Sequence, residues 1–115
     1  MNDQNKPWLN AQGQLHAWLT VTAEGATVQL QKPAKVLGDA NGEGATIVDR
    51  LTLRSPTIRD QRGAAKQAPS DLEEQELILF ANLAGIAPKE LEGLSVVDYN
   101  RVTAAYFRLV HDDGV

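Results

Sequence analysis

The sequence predicts an α+β fold: a small antiparallel β-meander of about three strands, followed by three to four helices packed on it. Three observations lead there. Apolar and polar residues alternate as far as Arg54, which is the period of half-buried strands. Beyond Ser55-Pro56, apolar residues recur at helical spacing between capping residues and glycine stops. The chain has 115 residues, 43% of them apolar and 23% charged. That suits one domain with a modest core, and neither a disordered nor a membrane-spanning composition.

Residues 1–13 are polar, contain Pro7 and Gly13, and read as a flexible N-terminal arm whose Trp8 and Leu9 are available for docking. A single domain is expected over 14–111, with the meander at 14–54 and the helical part at 57–110. From Gln14 to Thr22, Leu15, Ala17, Leu19 and Val21 alternate with His16, Trp18, Thr20 and Thr22. Ala23-Glu24-Gly25 connects this strand to a second over 26–31, with Val28 and Leu30 on one face. Lys32-Pro33 interrupts the ladder, because proline has no N–H to donate. Residues 34–38 continue extended, 38–44 form a loop, and a third strand runs from 45 to 54.

The stretch from Arg50 to Asp60 hands a strand directly to a helix. Leu51 and Leu53 alternate with Thr52 and Arg54, Pro56 ends the ladder, and Thr57 caps a helix over 57–67. Asp60 stands three residues on, in capping-box spacing. Leu53, Pro56, Thr57 and Asp60 are therefore the structural joint. Ala68-Pro69 breaks that helix, and Ser70 with Glu73 opens a second, which Gly85 stops after Ala84. Leu72, Leu79, Phe80 and Leu83 form one stripe while Ile78 and Ala81 lie off it. The segment 77–81 is thus apolar all round, suited either to a central place in the core or to a second apolar face for a partner. Pro88 starts a one-turn helix that Gly93 ends. Ser95 caps the last helix, on which Val96, Tyr99, Val102, Tyr106, Leu109 and Val110 form a stripe with Phe107 at its edge. Arg101 and Arg108 face away, and residues 112–115 are a frayed acidic tail.

The net charge of −4 is unevenly placed. Residues 50–66 hold Arg50, Arg54, Arg59, Arg62 and Lys66 against Asp60, a balance of +4. Residues 70–93 hold Asp71, Glu73, Glu74, Glu76, Glu90 and Glu92 against Lys89, a balance of −5. The two blocks are expected to attract each other within the fold. Cysteine is absent, which excludes disulfides, thiolate metal sites and a cysteine nucleophile. Neither His16 nor His111 is paired with a nucleophile, and Asp39-x-Asn41-x-Glu43-Gly44 lacks the twelfth-position glutamate of a calcium loop, having Arg50 there. No catalytic residue, metal or cofactor is expected, and the chain is read as a non-enzyme. The N-terminus has no signal-peptide pattern and no apolar run approaches a bilayer span, so no membrane partner is expected.

Several of these patterns occur together in one family. Val28-Gln29-Leu30-Gln31-Lys32-Pro33 is followed by Leu51-Thr52-Leu53-Arg54-Ser55-Pro56-Thr57-Ile58-Arg59-Asp60 and by Glu74-Gln75-Glu76-Leu77. Then come Leu83-Ala84-Gly85-Ile86-Ala87-Pro88-Lys89-Glu90-Leu91 and Leu94-Ser95-Val96-Val97-Asp98-Tyr99. In this order and spacing, over residues 26–110, the chain resembles the small tail assembly chaperones of contractile-tailed, Mu-like bacteriophages and prophages. Residues 1–25 depart from the family's usual short N-terminus. The resemblance implies a non-enzymatic factor that binds the tape-measure protein and assists tail-tube assembly. It would work in the host bacterial cytoplasm and be absent from the mature virion. The tail-tube protein and a second copy of the chain are further partners to consider. Leu77, Ile78, Phe80, Ala81, Tyr99, Tyr106 and Phe107 are the candidate partner-binding residues. The other readings are a structural tail component and, with less to support it, a small nucleic-acid-binding phage regulator acting through the 50–66 cations.

Overall fold

The structure, a computed structural model, describes residues 6–36 and 46–111. It is α+β: strands β1 (Leu19–Thr22), β2 (Gly25–Val36) and β3 (Thr46–Arg54) precede helices α1 (Ile58–Gln67), α2 (Leu72–Ala84), α3 (Pro88–Glu92) and α4 (Val96–Val110). The sheet is an antiparallel meander in the order β1-β2-β3. Leu19 pairs with Val28, and Val28 with Leu51, so one apolar row crosses all three strands on the buried face. The other face is polar, and there the paired Thr27 and Thr52 join their hydroxyls at 2.9 Å. A face built this way needs covering on one side only. α2 packs over β3 and α4 over β2.

Several sequence expectations are corrected. β1 begins at Leu19 rather than residue 14, although Leu9 and Leu15 form an isolated bridge ahead of it. Within the expected arm, residues 6–13 are folded onto the domain. Trp8 is buried, its ring lies 4.9 Å from that of His111, and its carbonyl accepts from the His16 backbone N–H. Its large apolar surface outweighs the polar composition of its neighbours. The calcium-like sequence at 39–44, residues 1–5 and the tail 112–115 lie outside the described residues.

Lys32-Pro33 does not end β2. The strand runs on to Val36, but its register against β3 shifts between Gln29 and Ala34. The interrupted segment finds its hydrogen bonds on α4. Asp98, fully buried, accepts from the backbone N–H of Gln31 at 2.6 Å and of Lys32 at 3.0 Å. Arg101 donates to the Gln29 carbonyl at 2.8 Å, and its guanidinium lies 5.1 Å from the Trp18 ring centre. Arg101 thus turns inward, against the expected solvent orientation. Buried backbone groups left by a broken ladder need such partners.

The joint folds as its sequence implies. Thr57 caps α1 by accepting from Asp60 N–H at 3.2 Å, and the Asp60 carboxylate accepts from Thr57 N–H at 2.8 Å. Arg54 adds a two-pronged ion pair to Asp60 with both distances at 2.8 Å. Arg54 and the Thr57 N–H hold the Asp60 carboxyl well below its ordinary value of 3.8. The folded state therefore binds this proton less readily than the unfolded chain. Its contribution is complete above the unfolded value and is lost as pH falls below about 4. Asp60→Asn is expected to flatten that acid limb in pH-dependent unfolding, and Thr57→Ala to cost about 1 kcal/mol at neutral pH.

α2 starts one residue later than Ser70 and Glu73 suggested. Asp71 is the cap, accepting from Glu74 N–H at 3.0 Å, and Gly85 closes the helix in the left-handed conformation with φ 72°. An aspartate adds charge at the positive end of the helix, which a serine does not.

Candidate partner-binding surface

The seven residues singled out as partner-binding separate into three places. Ile78, Phe80 and Ala81 are in the core, at 8%, 1% and 0% exposure, and present no outer face. α2 is enclosed by β3, α1, α3 and α4, which explains a helix apolar on nearly every side. Leu72, expected to face inward with Leu79 and Leu83, is instead 79% exposed.

Leu77 and Tyr99 are half-buried and line a groove of about 300 Å³ together with Asp71, Glu73, Glu74, Glu76 and Glu92. The Tyr99 hydroxyl donates to Glu76 at 2.8 Å. Burial pushes the Tyr99 phenol up from its ordinary value, and the Glu76 carboxylate adds to that.

Tyr106 and Phe107 lie elsewhere. Tyr106 is half-buried, its ring 4.8 Å from Phe80 and 5.7 Å from Phe107, and its hydroxyl accepts from Gln61 at 3.0 Å. With Gln61 and Ala64 of α1 and Leu72, Gln75, Glu76 and Leu79 of α2 it lines a second groove of about 280 Å³. Several apolar residues on these helices are exposed. Ile58 on α1 and Leu72 on α2 are joined by Val96, Phe107 and Val110 on α4.

The stripe expected on α4 is therefore rotated. Its inner side is Asp98, Val102, Ala104 and Ala105, while Val96 and Val110 face solvent. Val96, Tyr99, Thr103, Tyr106 and Val110 follow alternating spacings of three and four, and within that row Tyr99 and Tyr106 pack against Phe80 of α2 while Val96 and Val110, at its two ends, are exposed. Sequence reasoning missed Asp98, whose position three residues after Ser95 mimics a simple cap. The unsatisfied backbone beside Pro33 was the signal that a partner had to exist.

No ion pair joins the basic stretch to the acidic one among the described residues. Arg50 pairs with Asp49 and Arg54 with Asp60. Among the described residues no group of three or more His, Asp or Glu is placed to hold a metal, and no helix is long and apolar enough to cross a membrane.

A family model described as "Phage tail assembly chaperone proteins, E, or 41 or 14" matches residues 27–111. The chain belongs to this family. The match runs from β2 to the end of α4, and so includes the joint, every helix and the contact of Asp98 with the interrupted strand. The whole of β1, both tryptophans and the turn that carries Trp8 precede it. In this tail assembly chaperone the preceding segment braces the matched region: Trp8 rests against His111 and Trp18 against Arg101. No curated protein and no solved structure matches the chain.

Proposed function

We propose that this tail assembly chaperone binds the tape-measure protein by non-catalytic contact and assists formation of the tail tube around it. It would act in the host bacterial cytoplasm and leave before the tail is complete. Family membership over residues 27–111 carries the assembly role. The exposed Phe107 and Val110 of α4 and Leu72 of α2, with the groove that Leu72 and Tyr106 line, support an apolar helical client. Of the candidate residues, the partly exposed Tyr106 and the exposed Phe107 are the ones this reading assigns to the contact. Ile78, Phe80 and Ala81 hold the surface from beneath.

Coexpression with a tape-measure fragment tests this reading. The fragment is expected to remain soluble with the chaperone and to precipitate without it. Leu72→Asp combined with Phe107→Asp is expected to weaken capture roughly tenfold or more, with unfolding midpoints near wild type because both side chains are exposed. A fragment equally insoluble in both cultures contradicts the proposal.

A further inference from the structure

We propose that the turn carrying Trp8 is a releasable cover. In the free chaperone it closes an apolar seat at the end of α4, and it swings away when a client helix takes the neighbouring surface. This rests on the client contact assigned above to Phe107 and Val110, and adds how access to that contact is regulated. Residues 6–16 form a unit that holds itself together. The Trp8 carbonyl accepts from the His16 N–H at 3.2 Å, and the Asn10 N–H donates to the Gln14 carbonyl at 2.7 Å. The Asn10 side chain accepts from the N–H groups of Gln12 and Gln14 at 2.9 and 3.1 Å, while Gly13, at φ 79°, reverses the chain. Among the described residues, the hydrogen bonds of residues 6–15 all fall within 6–16.

What fastens this unit to the domain is chiefly one side chain. Trp8 is 5% exposed and is the only buried residue from Lys6 to Trp18, with Leu9 partly buried next to it. Its ring lies 4.9 Å from that of His111. The exposed Val110 directly precedes His111, and the exposed Phe107 stands one helical turn before it. A unit that keeps its own hydrogen bonds orphans no backbone group when it leaves, so its release is a local event rather than unfolding of the domain. Trp18 stays behind as the hinge post: its carbonyl takes the Gln29 N–H at 2.8 Å and its ring lies 5.1 Å from the Arg101 guanidinium. Release bares the seat of an indole, a large apolar area, next to residues of the client contact. The seat at the end of α4 belongs to the family region, whereas the cover precedes it. The coupling is reciprocal: a client that gains surface from the open form holds the cover open, and a cover that reseats loosens the client. With no client present, the cover also hides surface that would otherwise invite non-specific association.

Two measurements on the full chain test this. In Trp18→Phe, Trp8 is the sole tryptophan, so its emission reports on the cover alone. Trp8 is expected to be shielded from acrylamide in the free chain, and to be quenched more readily, with red-shifted emission, in the complex with a tape-measure fragment. The second measurement uses Trp8→Ala, which leaves the seat empty. It is expected to bind more anilinonaphthalene sulfonate than wild type while unfolding cooperatively, and to capture the fragment about fivefold more tightly. A Trp8 that stays shielded in the complex overturns the proposal, and so does a Trp8→Ala chain that captures the fragment more weakly at unchanged circular dichroism. If Trp8→Ala does not fold, the quenching of Trp8 in the complex decides alone. A wild-type chain that captures no fragment counts against the client reading instead. Dye binding then judges the cover by itself: equal binding by wild type and a folded Trp8→Ala chain overturns it.

Discussion

Asp98→Ala is expected to destabilise the chain by roughly 3–5 kcal/mol, because it removes two hydrogen bonds to a fully buried acceptor and leaves two strand N–H groups without partners. Its carboxylate takes the Gln31 N–H at 2.6 Å and the Lys32 N–H at 3.0 Å. Those amides belong to the part of β2 whose register with β3 has shifted. The same residue marks where α4 begins over the sheet, since its backbone N–H donates to the Ser95 hydroxyl at 3.1 Å. Asp98→Asn keeps the shape but offers one acceptor oxygen where two are used, so a smaller loss of about 2 kcal/mol is expected. Urea unfolding measures both values, and amide exchange at Gln31 and Lys32 should accelerate in step. A loss below about 1 kcal/mol for the alanine variant would mean that the interrupted strand finds other partners.

The expectations that held were those fixed by a few neighbouring residues. Thr57 and Asp60 define a cap wherever the rest of the chain lies, and Gly85 stops a helix through its own backbone freedom. The order of strands followed from short connections. What could not be read was the rotation of each helix about its axis. On α4 the rule of placing large apolar residues inward selected Val102, which is buried, and Tyr99, Tyr106 and Leu109, which pack against the core, but also Val96 and Val110, which are exposed. The core takes Asp98, Ala104 and Ala105 in their place. Small residues face the sheet because α4 lies close upon β2, and the carboxylate is drawn in by unpaired amides 67 and 66 positions away. Such a partner is invisible to any local window. The N-terminal segment, in which Trp8 and Leu9 were free to dock, shows a similar effect at residue 8. Its composition is polar, but a single tryptophan at position 8 is enough to fasten it.

The rotation of α2 decides which of the proposed contact residues belong to the core. Phe80→Ala is expected to cost about 3–5 kcal/mol, the usual range for emptying a buried aromatic site. Phe80 is 1% exposed, and its ring lies 4.8 Å from Tyr106 and 5.9 Å from Tyr99. Small domains have only about 5–15 kcal/mol in all, so the variant should unfold at markedly lower denaturant or temperature. Leu72→Ala, eight positions earlier on the same helix, removes a side chain that is 79% exposed and should change stability by less than about 0.5 kcal/mol. The pair separates two roles that a binding assay alone would confuse. A core residue lowers stability, and its binding defect disappears once the remaining folded protein is counted. A contact residue lowers binding at unchanged stability. If Phe80→Ala instead unfolds like wild type while losing the client, then α2 turns outward when it binds. The aromatic group of Phe80, Tyr99 and Tyr106 would then be the client's seat rather than its support.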